Sequence, residues 1–329
     1  MDLKRKVRGV GLLLGGLWLM AAGFLAACTA QMPVQEENSA ATVAEYTHGQ
    51  LMMVAATERN RYQNVYTSKL WSVGLDGAGS TFETKLKEQI ESFLLELATV
   101  NLMAQEQEIQ LTGQEKDQVE NLAKEYFDSL SQGDLDYMKV SREEVSELYS
   151  QYYLADKLVT SLTENENLEV SDAEAKVIQI LQIELDTREE AEAVFEQVSQ
   201  EKADFSSIAA KASKDSQTEF TLEWKEELNG LEQSAFHLEQ DEISGILEEN
   251  GKFYIQKCVN AYDQEATAIR KRNLIQEKKS RAFKAIYEPF AGNHKVELKE
   301  GIWDNVDFSE GGECTSDDFF QRYHSYFGR

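Results

Sequence analysis

Val177-Ile178-Gln179-Ile180-Leu181-Gln182-Ile183 is where the periodicity of this 329-residue chain changes. The run is aliphatic and β-branched, and it is too short to make a helix of its own, so it reads as a strand. Working forward from it, helical runs over 187–200 and 204–212 lead to a short strand around 222–224. A helical turn at 231–238 and a last strand at 253–259 follow, which gives the order β-α-α-β-α-β. After Tyr262 a long charged helix over 266–290 restores the helical character.

Working backward, the apolar residues Phe82, Leu86, Ile90, Phe93, Leu94, Leu97 and Val100 recur at spacings of three and four, which marks one face of a helix. Four pairs have the form of a capping box, a hydroxyl residue with Glu three places on. They are Thr112 with Glu115, Ser141 with Glu144, Ser171 with Glu174, and Thr187 with Glu190, and each predicts a helix start. Helices over 44–66, 81–108, 112–131 and 141–162 then form an N-terminal lobe, with a loop at 74–80. Only two prolines occur, Pro33 and Pro289, so little interrupts helix formation. The expected fold class is α+β, mostly helical, with a discontinuous helical lobe and an inserted β-α-α-β-α-β domain.

The first residues carry Lys4, Arg5, Lys6 and Arg8, followed by an uncharged apolar run from Val10 to Leu25, the pattern of a signal peptide. The run is shorter than the roughly 20 residues a membrane-spanning helix needs. Leu25-Ala26-Ala27-Cys28 resembles the bacterial lipobox, which implies cleavage before Cys28 and lipid attachment to its thiol. The expected location is the outer face of the bacterial cytoplasmic membrane. Two or more buried acyl chains hold a protein stably where one does not. Residues 31–41 are polar and small, as suits a tether.

The formal net charge is −26, which excludes nucleic acid as a partner on electrostatic grounds. Beyond Cys28 only Cys258 and Cys314 remain, too few for a disulfide framework, although a single bridge between them stays open. Neither cysteine, nor His48, His237, His294 or His324, has the spacing of a metal site. There is no His-Glu-x-x-His and no Gly-x-Ser-x-Gly, which disfavours metalloprotease and serine hydrolase chemistry.

The middle unit resembles the parvulin family of peptidyl-prolyl isomerases. The resemblance is carried by Ala203-Asp204-Phe205-Ser206-Ser207-Ile208-Ala209, by Ser213-Lys214-Asp215-Ser216, and by Ala235-Phe236-His237-Leu238 with Asp241-Glu242-Ile243-Ser244-Gly245. Phe253-Tyr254-Ile255-Gln256-Lys257 matches the family's last strand. The flanking segments are similar to PrsA- and SurA-type extracytoplasmic foldases, with Asn101 to Ala104, Ala155 to Leu158, and Lys295 to Leu298 with Trp303 fitting that layout. The implied organisation is a signal peptide at 1–27, a lipidated tether at 28–41, a helical chaperone lobe at 42–168, a parvulin-like domain at 169–262, and a C-terminal segment at 263–329 that completes the lobe. The resemblance leaves unexplained the tail from Ser309 to Arg329, which ends in an aromatic run from Phe319 to Phe327.

An X–Pro bond rotates slowly because rotation breaks amide resonance, a barrier of about 18–20 kcal/mol. The family lowers it with an apolar proline pocket and a small polar cluster, without metal or cofactor. Carried over position by position, the family's aspartate falls on Asp215, its first histidine on Gln179 and its second on Tyr254, so both histidines are absent. Leu222, Leu231 and Phe236 stand at pocket positions, while the family's methionine position falls near Glu227. The implied function is a membrane-anchored foldase whose partners are unfolded exported proteins and whose isomerase is weakened; a homodimer is compatible with this. Two alternatives compete with it. One is a holdase that uses the parvulin-like unit only to bind peptides. The other is a transporter's solute-binding lipoprotein, disfavoured by the single short β region. Met52, Met53 and Met103 are either adaptable client contacts or ordinary core.

Overall fold

A computed structural model describes residues 41–76, 79–164 and 166–328. The predicted signal peptide and Cys28 lie outside the described residues, as does nearly all of the tether. The chain divides into two compact units, Met1–Glu166 with Ser280–Arg329, and Asn167–Lys279. The fold is α+β and mostly helical, with ten α-helices among the described residues.

The first unit begins with strand β1 (Thr42–Ala44), then helices α1 (His48–Gln63), α2 (Phe82–Glu106), α3 (Gly113–Ser129), α4 (Gln132–Met138) and α5 (Arg142–Thr163). Thr112 and Ser141 cap α3 and α5 in two-way boxes, as their spacing predicts. Thr47 with Gln50 and Ser131 with Asp134 form two more, at α1 and α4. The short helix α4 was not predicted. α1 is buried on nearly every side, which is why its apolar run Leu51 to Ala56 has no polar stripe. Met52, Met53 and Met103 are all buried and belong to this core. The client-contact reading of these methionines does not hold.

The C-terminal residues complete this unit rather than trailing from it. Strand β6 (Val296–Leu298) pairs in parallel with β1, Thr42 facing Val296 and Ala44 facing Leu298. The aromatic tail forms helix α10 (Phe319–Phe327), whose Phe319, Phe320 and Tyr323 are buried. Phe319 stacks on Tyr149 at 4.2 Å between ring centroids, and Tyr323 meets Tyr152 edge-on at 4.6 Å. Ahead of it the chain crosses α1, where the fully buried Arg59 donates from Nε to the Phe308 carbonyl at 2.8 Å and from Nη1 to Asn60 Oδ1 at 2.7 Å. Asp134 Oδ1 accepts from the amides of Thr315 and Ser316 at 2.7 and 2.9 Å.

The second unit holds strand β2 (Val177–Leu185), helices α6 (Arg188–Val198) and α7 (Phe205–Ala212), strand β3 (Glu219–Glu223), helix α8 (Gly230–His237), and strands β4 (Leu247–Glu249) and β5 (Lys252–Asn260). The four strands lie in the order β3-β2-β5-β4, all neighbours antiparallel. The predicted order survives, with β4 added and β3 starting three residues early. The capping pair at Ser171 forms its two hydrogen bonds at 2.7 and 3.1 Å, but only a turn follows. The β-branched run two residues on claims the chain for β2. Thr187 caps α6 from one side only, since Glu190 accepts from the amide of Asp186 instead.

Helix α9 (Gln264–Asn293) leaves the second unit and enters the first, the division falling between Lys279 and Ser280. The sequence placed this junction after Tyr262. Cys258 and Cys314 are both buried free thiols, so the bridge that the sequence left open is not formed.

Candidate functional site

Side chains of a strand alternate between faces, and β2 shows this with different residues on each side. Leu181, Ile183 and Leu185, with Phe253 and Ile255 of β5, pack against Ala191, Val194, Val198, Phe205 and Ala209 of α6 and α7. Ile178 and Ile180 point the other way, where Ala235 and Phe236 of α8 meet them together with Phe220 and Leu222 of β3. That second cluster is small, and α8 is only eight residues long. Beyond it along the same face come Gln182 opposite Gln256 and Glu184 opposite Tyr254.

The two glutamines form a buried amide pair. Gln256 is 1% exposed, and its Nε2 donates to Gln182 Oε1 at 2.9 Å and to the Leu231 carbonyl at 3.2 Å. Both neighbours are acceptors, which fixes the nitrogen of Gln256 on that side and turns its Oε1 the other way. Gln256 Oε1 meets no donor among the described residues. A buried acceptor left without a partner costs about 1–3 kcal/mol. Ser244 fixes the backbone there, its Oγ accepting from the Gln256 amide at 2.9 Å.

Tyr254 stands next to this pair. Its hydroxyl is 3.5 Å from Glu184 Oε2, a weak contact, and desolvation together with the Glu184 charge raises the phenol above its usual range. Tyr254 therefore stays a neutral donor. Lys252 Nζ holds Glu184 at 2.8 Å and Asp186 at 2.9 Å, and those bonds raise the ammonium's pKa.

The three residues expected to share a catalytic cluster are dispersed. Gln179 differs from Glu184, the residue opposite Tyr254, by an odd number of positions, and so projects from the opposite face of β2. Its Nε2 donates to Asp263 Oδ2 at 2.7 Å, while Asp263 Oδ1 accepts from the Ala266 amide at 3.0 Å. Gln179 thus braces the first turn of α9. Asp215 is exposed, and its Oδ1 closes a turn by accepting from the Gln217 amide at 2.9 Å. Its loop is docked on β2 by the Lys214 amide, which donates to the Glu184 carbonyl at 2.8 Å. Of the expected pocket, Leu222 and Phe236 come together, and Leu231 contributes its carbonyl to Gln256. Glu227 and His237 are exposed.

Gln182 and Gln256 were missed. Their signal was polarity inside β-branched strands, but choosing between Gln179 and Gln182 required the register, because three residues change the face. Among the described residues no group of three or more His, Cys, Asp or Glu is placed to hold a metal ion.

No family model and no curated protein matches the chain. Solved structures do match it. Foldase protein PrsA from Streptococcus pneumoniae is 16% identical with a TM-score of 0.30, over 71% of this chain and 97% of that one. Peptidylprolyl isomerase PrsA from Bacillus cereus is 15% identical with a TM-score of 0.35, over 76% of this chain and 97% of that one. PrsA from Bacillus subtilis is 15% identical with a TM-score of 0.25, over 71% and 98%. The chain is similar to PrsA foldases. Scores of this size do not by themselves assign it an activity.

Proposed function

We propose that this chain is an extracytoplasmic folding factor, held on the outer face of the bacterial cytoplasmic membrane by lipid on Cys28. Its inserted unit binds extended, proline-containing segments of exported proteins on the α8 side of the sheet. The observation that carries this reading is the combination on one face of an apolar cluster, Leu222, Phe236 and Ile180, with the neutral donor Tyr254. An X–Pro peptide has an apolar ring and a prolyl amide whose carbonyl oxygen accepts, and this face offers an apolar cluster for the first and the Tyr254 phenol for the second.

The isomerase chemistry is slow in this proposal. Amide donors at Gln182 and a phenol at Tyr254 can hydrogen-bond a twisted prolyl amide, but neither carries a charge that strengthens as resonance is lost. Binding without turnover is the second reading. It is favoured by the outward position of Asp215 and the separation of Gln179 from Tyr254.

Exchange NMR on a proline tetrapeptide, using the full chain, tests both. Gln182→Leu and Phe236→Ala are expected to weaken peptide binding by about tenfold each, the worth of one buried contact. Gln179→Ala is expected to leave affinity unchanged. Equal affinity in all three variants overturns the proposed face. Accelerated exchange that disappears in Tyr254→Phe supports the slow isomerase, and binding with no acceleration supports the second reading.

A further inference from the structure

Strand β3 lies at the edge of the four-stranded sheet, and among the described residues no strand pairs with its outer side. In an antiparallel ladder each residue sends its N–H and its C=O to the same side, and successive residues alternate. The bonds that bracket the β2–β3 ladder run from the Gln182 amide to the Thr218 carbonyl at 2.8 Å and from the Trp224 amide to the Lys176 carbonyl at 2.9 Å. Phe220 and Leu222, in step with Thr218 and Trp224, therefore spend their backbone groups on β2, and Glu219, Thr221 and Glu223 turn theirs outward. These last three residues are all exposed. Gln217 Nε2 donates to the Glu219 carbonyl at 3.3 Å, but the amide and carbonyl of Thr221 have no partner among the described residues.

The side chains alternate as well. Glu219, Thr221 and Glu223 stand on the Gln179 side of the sheet, while Phe220 and Leu222 stand on the other, in the apolar cluster of α8. A strand added to this edge extends that cluster on one face and meets carboxylates on the other. Glu223 is already paired with Arg270 at 3.0 Å, whereas Glu219 makes no ion pair among the described residues.

Two rules select the occupant. A second copy of β3, added antiparallel about Thr221, sets Glu219 against Glu223 at both ends, and like charges directly opposite one another are unfavourable. A strand with a cation opposite Glu219 gains there instead. Proline has no N–H, so in an added strand it fits only where the backbone points away from β3. Those positions are the ones opposite Phe220 and Leu222, whose side chains share the α8 face. The ladder itself delivers a proline ring to the apolar cluster.

We propose that β3 takes up client chains by strand addition: an extended segment pairs antiparallel about Thr221, with proline opposite Leu222 and a basic residue opposite Glu219. The proposal rests on the α8-side face for its apolar contacts and adds the strand edge as the handle that fixes direction and register.

The test uses the full chain and the peptide acetyl-Thr-Pro-Thr-Val-Lys-amide, whose central threonine falls opposite Thr221. Hydrogen exchange of the Thr221 amide is expected to slow at least about tenfold at saturating peptide. An N-methyl group on the peptide's central threonine removes an inward N–H and is expected to weaken binding at least about tenfold. One on the valine, whose N–H points outward, is expected to leave affinity within about twofold. Replacing the peptide's lysine with glutamate is expected to weaken binding about threefold, and Glu219→Lys to reverse that preference. Equal loss from both N-methyl groups, or a Thr221 amide that exchanges as in the free chain, overturns strand addition; if Phe236→Ala still weakens the peptide, the α8-side face survives that result. Thr221 protection and full affinity retained in Phe236→Ala support the edge and remove the face. No saturable binding of the peptide overturns both. Protection that grows with protein concentration in the absence of peptide assigns the edge to a second copy and overturns the client reading.

Discussion

Glu96 lies on α2 with its side chain nearly buried, and desolvation pushes its pKa up to about 8. Its negative charge also raises the phenol of Tyr287, which places the two groups side by side in the first unit. The folded chain keeps the Glu96 proton up to about pH 8, while the unfolded chain releases it near 4.5. Folded-state stability is therefore unaffected below pH 4.5 and declines as pH rises from there to about 8. Glu96→Gln is expected to raise thermal stability at pH 8 by an amount on the order of 3–5 kcal/mol, and to change little at pH 4. Melts at the two pH values check this. At this scale the sequence was a partial guide. It signalled that polar residues interrupt β2 and β5, but which of them share a face with Tyr254 depends on strand register, and register depends on partners 70 or more residues away. The bulge that sets Ile180 opposite Cys258 and Gln179 opposite Asn260 has no local signature.

Among the elements, α10 is the one whose role the sequence hid. Its aromatic run has no helix-capping hydroxyl, and its meaning lies in Tyr126, Tyr149 and Tyr152, which it packs against from far along the chain. Phe319→Ala is expected to cost the first unit about 3–5 kcal/mol, as for other fully buried aromatic side chains. A differential scanning melt of the full chain checks it. Asp134 links elements in a different way. Burial tends to raise its pKa, but hydrogen bonds from Ser131, Ser316 and Thr315 win, and its carboxyl is held below the ordinary 3.8. The stability from this latch is present above that value and is lost as pH falls through the folded value. Asp134→Ala is expected to cost roughly 2–4 kcal/mol at pH 7, measured by denaturant titration, because it orphans two backbone amides and one half of the α4 cap. Helix starts such as Thr112 and Ser141 were legible because a capping box is closed by residues three apart. The box at Ser171 misled for the same reason, since local hydrogen bonds form there whatever the chain does next.

At the scale of the whole molecule, each unit has its own core, one centred on α1, α2 and α5, the other on the two faces of the sheet. Their unfolding is expected to resolve into two transitions, with Phe319→Ala lowering one by roughly 10 °C and leaving the other in place. A single transition that shifts as a whole contradicts this independence. The interrupted layout was legible because the change from helical to strand period at Val177 and back after Tyr262 is a property of composition. That the final residues belong to the first unit was not, because Arg59 finds its carbonyl partners some 250 positions later. This has a consequence for biogenesis. A ribosome delivers the inserted unit in full while α1 still lacks the segment that meets Arg59 and Asn60, so a chain arrested anywhere before Phe308 leaves a buried guanidinium and a buried amide without their carbonyl partners. Such a fragment carries its own mark of incompleteness, and housekeeping proteases could clear it before it ever competed with the finished protein.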